Sequence, residues 1–142
     1  MATDNIPLLM AGLLSQTAAI VHFACIFWGA NGFRRLGAGE PLISLAAAGH
    51  WYPRAVAFAM GAMLTLWAVY ALSGAGVVGP LPYRRTVLAL ITGAYLIRAL
   101  AFPLLKPAFP GNSMVFWLVS SGICLVIGLT HLIGLAHGWA QL

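Results

Sequence analysis

The sequence predicts an all-α integral membrane protein: a single-domain, four-transmembrane-helix bundle with a short interfacial helix or re-entrant segment between helices 1 and 2. Three observations predict it. Hydrophobic residues make up 62% of the 142 positions, and only 6% are charged; a soluble domain carries about 25% charged residues to cover its surface. Mean hydropathy is +0.96. The apolar residues also gather in four runs, each near the roughly 20 helical residues needed to cross a hydrocarbon core of about 30 Å.

The first span is expected over about residues 6–30, with Pro7 suited to an opening turn. No basic stretch precedes it, and Ser15, Gln16 and Thr17 interrupt its apolar character, so it reads as a retained helix and not a cleaved leader. A long connection follows. Within it, 40–50 opens with Pro41 and closes with Gly49, the punctuation of a short helix at the membrane surface. The second span is expected over 54–73, the third over 84–105 and the fourth over 113–139. Strands of a membrane barrel would alternate over about ten residues, which these runs do not, and lipid demands internally satisfied backbone.

Charge placement gives an orientation. Arg34, Arg35, Arg54 and Lys106 flank the first and third connections, whereas Arg84 and Arg85 flank the second. The larger group belongs in the cytoplasm, which puts both termini outside, as in a bacterial inner membrane. Trp28, Trp51, Tyr52 and Trp117 would form one interfacial belt, Tyr83 and Trp139 the other. The net charge of +5 does not point to nucleic acid, because no basic patch with interleaved aromatics exists. Two cysteines inside apolar runs, Cys25 and Cys124, exclude a secreted disulfide scaffold.

Within the spans, polar residues are few and stand out. Arg98 lies in "GAYLIRALAFPLLKPAFPGN", about 12 Å from the cytoplasmic end of its span. Placing a guanidinium at a helix centre costs about 2.5–3.5 kcal/mol, and an intramembrane charge is a functional hypothesis by default. The alternative is that its long stem lifts the charge to the interface. Pro103 would remove the bond to the carbonyl of Ala99 and bend the helix.

An inward-facing Arg98 needs acceptors. The only acidic residues are Asp4 and Glu40, so either Glu40 folds in to pair with it or Glu40 stays solvated beside Arg34 and Arg35. An anionic ligand or lipid head group is then a natural partner, with Thr92 and Tyr95 lining the same pocket. At 1.5 Å per residue, His22 and Cys124 fall at a similar depth to Arg98, with Gln16 and His131 about 10 Å nearer the opposite face.

Two stripes carry these groups: Ala11, Ser15, Ala18, His22, Cys25 and Gly29 on the first helix, and Ser121, Cys124, Gly128, His131, Leu135 and Gly138 on the fourth. They read either as facing polar levels or as plain packing seams, along with Ala57-x-x-x-Gly61 and Gly134-x-x-x-Gly138. His22-x-x-Cys25 offers two metal ligands on one face, short of the four a structural zinc takes. His22 and His131 are at depths unsuited to one haem iron. Ser120 and Ser121 lack the setting of a nucleophile, no carboxylate pair exists, and "SGAGVVG" lacks the lysine of a phosphate loop.

Three functions follow as expectations. The first is a transporter, channel or membrane binding protein for an anionic or amphipathic solute or lipid at Arg98, acting as a homo-oligomer. The second is an intramembrane enzyme or redox protein holding a haem, quinone or metal, and the third an accessory subunit whose partner neutralises Arg98.

Overall fold

The computed structural model describes residues 5–142, and every described element is helical. Helix α1 spans Ile6–Trp28, α2 Ala30–Arg35, α3 Glu40–Ala47, α4 Trp51–Gly74, α5 Arg84–Leu100, α6 Phe102–Leu105 and α7 Met114–Gly138, with a 3₁₀ turn at Lys106–Ala108 before α7. Three of these, α1, α4 and α7, are each long and apolar enough to cross a membrane. Helix α5 reaches that length only together with the segment ending at Ala108, and the two are bent by 62°. The third run is therefore broken five residues before the end that its apolar pattern implies. Pro103 supplies the reason, since it has no N–H to return to Ala99, and the helical ladder stops at Leu100.

Local signals set the other ends. Asn5 accepts from the Leu8 N–H and Ser113 from the Phe116 N–H, capping α1 and α7. Gly29, at φ 61°, turns the chain sharply out of α1 into α2, a conformation a side chain would strain. The short α2 is not foreseen from the sequence, whereas α3 lies where the surface helix is expected.

The long helices pack chiefly as two pairs, α1 with α4 and α5 with α7, joined along α1 and α7. Small residues set the approach. At Gly61 of α4 the Phe23 ring of α1 occupies the space a Cβ would need, and at Gly134 of α7 the Leu8 side chain of α1 does so, at 2.6 Å. The two predicted stripes do meet, but α1 turns more of its buried face to α4: Leu8, Ala11, Gly12, Ser15, Ala19 and Cys25 are buried, while Ala18 and His22 are only partly so.

One end of the bundle gathers the first and third connections. Asn112 donates to the Gly37 carbonyl at 3.2 Å, and Phe109 lies against Gly39. The outward surface is greasy: Phe27 is 88% exposed, Leu104 84% and Leu100 72%, which suits contact with lipid chains. Trp28, Trp51, Tyr52, Tyr83 and Trp139 are exposed as interfacial aromatics would be, but Trp117 is not. It is buried beneath Arg98, so the expected belt loses that member.

Candidate functional site

Two polar clusters sit on neighbouring turns of α5. In the first, each long helix contributes one side chain: Ser15 from α1, Trp67 from α4, Tyr95 from α5 and His131 from α7. The Ser15 and Tyr95 hydroxyls share a hydrogen bond of 2.9 Å. The Tyr95 ring meets Trp67 edge-on at 5.2 Å and lies against the His131 ring at 5.3 Å. His131 is wholly buried. Its Nδ1–H donates to the Ile127 carbonyl at 2.9 Å, leaving Nε2 as a lone pair with no partner among the described residues.

The second cluster surrounds Arg98, three residues on. Its Nη2 donates to Ser120 at 2.7 Å and its Nη1 more weakly to Ser121 at 3.4 Å. The guanidinium lies over the Trp117 ring, 5.3 Å from its centre, a favourable cation–π arrangement. Because α5 ends at Leu100, Arg98 is in its last turn, where the helix dipole favours positive charge by about 0.3–1 kcal/mol. The depth expected from the sequence therefore changes. Ser120 is roughly 9 Å along α7 from its start at Met114, so the guanidinium is close to the end of the bundle and half-buried, not central.

Guanidinium groups carry five N–H donors, and the serines engage one on each Nη. Among the described residues, no carboxylate is a partner. Glu40 begins α3 as an exposed side chain, the solvated one of its two expected arrangements.

The remaining predicted residues divide between the clusters or lie outside both. Tyr95 belongs to the closed layer and does not line the surroundings of Arg98. Thr92 is buried but returns its hydroxyl to the Leu88 carbonyl. Cys124, half-buried on α7, packs against the core that holds Tyr95. Gln16 and His22 are partly buried on α1, and His22 uses Nδ1 on the Ala18 carbonyl.

His22 follows Ser15 by two turns, about 10 Å, so it is well separated from His131. A haem does not fit at His131, whose ring is fully enclosed against Tyr95. Among the described residues no three His, Cys, Asp or Glu side chains gather as metal ligands.

Sequence reasoning passes over Trp67, the role of Ser120 and the place of Trp117 under a cation. A signal exists for two of them: Trp117, Ser120 and Cys124 follow 3-4 spacing on one face of α7, the face that meets Arg98. Trp67 has none, since its place depends on how α4 meets α5. No family model, curated protein or solved structure matches the chain.

Proposed function

We propose that the protein is a small polytopic membrane protein that binds an anionic amphiphile at Arg98 and carries or presents it at the bilayer. The observation that supports this reading is a guanidinium whose partners among the described residues are all neutral: Ser120, Ser121 and the Trp117 face. Serine hydroxyls orient the charge without cancelling it. An Arg–phosphate or Arg–carboxylate contact is bidentate and about twice as strong as a neutral hydrogen bond, and Arg98 has donors left for one. The exposed apolar flank formed by Ile97 and Leu100 gives an acyl chain a surface beside the charged head.

In this reading the bent α5–α6 unit is the third of four spans, and the end carrying α3 and Lys106 faces the cytoplasm, following the lysine and arginine count. That places both termini on the outer face of a bacterial inner membrane. Nothing lies within 4 Å of a side chain's first carbon at Gly93 or Gly122, so the α5–α7 pair presents open small-residue surface, on which a second copy packs to give a homo-oligomer.

The test is titration of the purified protein with short-chain phosphatidic acid and, separately, phosphatidylcholine of equal chain length. Arg98→Gln should weaken phosphatidic acid binding at least tenfold, leaving the zwitterionic lipid and the melting temperature unchanged. Equal affinity in the native and substituted proteins overturns the proposal.

A further inference from the structure

The interior of the bundle is sealed at one level and open at the next. Ser15 on α1, Tyr95 on α5 and His131 on α7 are buried, and the Ser15–Tyr95 hydrogen bond of 2.9 Å fixes which face of α1 looks toward α5. His22 follows Ser15 by close to two full turns, so it lies on that same face, about 10 Å nearer the Arg98 end. There it is only partly buried, as are Ala18 on α1, Arg98 on α5, and Ser120 and Cys124 on α7. At this level the helices have begun to part.

A second contact gives the depth. Helices α1 and α7 run antiparallel, with Leu8 packed over Gly134 and Asn5 beside Gly138. Counting equal distances from the Leu8–Gly134 contact, onward along α1 and back along α7, reaches His22 and Ser120. Ser120 is the hydroxyl that accepts from the Arg98 Nη2 at 2.7 Å. His22 and the guanidinium therefore border one opening at matching depth.

Their chemistry is opposite. Arg98 can only donate. His22 places Nδ1 at 2.8 Å from the Ala18 carbonyl, which can only accept, so in the neutral ring the proton is on Nδ1 and Nε2 keeps a lone pair. A bare oxyanion suits the cation and is repelled by the lone pair. An anion that also carries a hydroxyl suits both.

Resting on the reading of Arg98 as an anion site, we propose that the preferred ligand is an amphiphile with a hydroxyl-bearing phosphodiester head. Its phosphate engages Arg98, and a head-group hydroxyl donates to Nε2 of His22.

The experiment titrates the purified full chain in micelles with short-chain phosphatidylglycerol and with phosphatidylpropanol of equal chain length, which lacks only the head-group hydroxyls. The native protein should favour phosphatidylglycerol about fivefold, the worth of one hydrogen bond. His22→Leu should lose the preference, and His22→Gln, whose amide oxygen can accept in place of Nε2, should retain it. Arg98→Gln should weaken both lipids together. Equal affinities in the native protein, or a preference that survives His22→Leu, overturn this proposal and leave the Arg98 reading standing. A preference lost equally in His22→Leu and His22→Gln also overturns it, since packing and not the lone pair would then be responsible. Undiminished binding of both lipids by Arg98→Gln overturns the Arg98 reading, and this one with it.

Discussion

Tyr95 and Arg98 are one turn apart on the same helix, yet their surroundings differ in kind. Around Tyr95 all four long helices contribute, and the hydroxyls of Ser15 and Tyr95 satisfy one another away from lipid. Around Arg98 the hydrogen bonds and the ring contact come from α7 alone, and the guanidinium remains half-open. The difference follows from where α5 stops. A residue three positions earlier is enclosed by the bundle; a residue in the last turn looks out past its edge. Apart from the His131 Nε2, the polar groups of the first cluster satisfy one another or the backbone and serve cohesion. Those in the second keep capacity in reserve, which the proposed binding uses.

The contrast can be broken or sharpened by substitution. Tyr95→Ala should have the largest effect, removing a ring that touches Trp67 and His131 and costing about 3–5 kcal/mol of stability, read as reduced resistance to denaturant in micelles. A loss below about 1 kcal/mol would show that the layer is not the keystone described here.

Next, Tyr95→Phe and Ser15→Ala should each cost about 1 kcal/mol, since each strands a buried hydroxyl or removes its bond. The double variant should cost little more than either alone, the signature of a shared interaction.

At the other cluster, Ser120→Ala should leave stability untouched and weaken phosphatidic acid binding about threefold, because it loosens the guanidinium without removing its charge. Unchanged affinity would show that Ser120 does not orient Arg98.

The smallest effect is expected at His131→Leu, within about 1 kcal/mol of the native protein, because the substitution deletes an unpartnered buried nitrogen along with a bond to a carbonyl already inside the helix. A loss of 3 kcal/mol or more would mean that Nε2 has a partner and that the closed cluster is incomplete as described.

Composition and run length make the helices and their order legible, because a bilayer constrains sequence more strongly than water does. The burial of Ser121, Gly128, His131, Leu135 and Gly138 on one face of α7 is likewise readable from 3-4 spacing. Sequence spacing does not fix where a helix is cut. The pattern around Arg98 stays apolar to Leu105, and only the missing N–H of Pro103 marks the stop, so depth counted from Leu105 overestimates how deeply the charge is buried. Contacts between helices are harder still. Trp117 looks like an interfacial anchor by position, and becomes the platform under a cation only once α5 and α7 are aligned.

The short, abruptly ended α5 has a consequence for the membrane itself. In the proposed four-span arrangement its 17 residues extend about 25 Å, less than the roughly 30 Å of hydrocarbon a span crosses. Such mismatch would be relieved by a dimple in the leaflet beside Leu100, drawing phosphates down toward the guanidinium and making thin bilayers the more comfortable host.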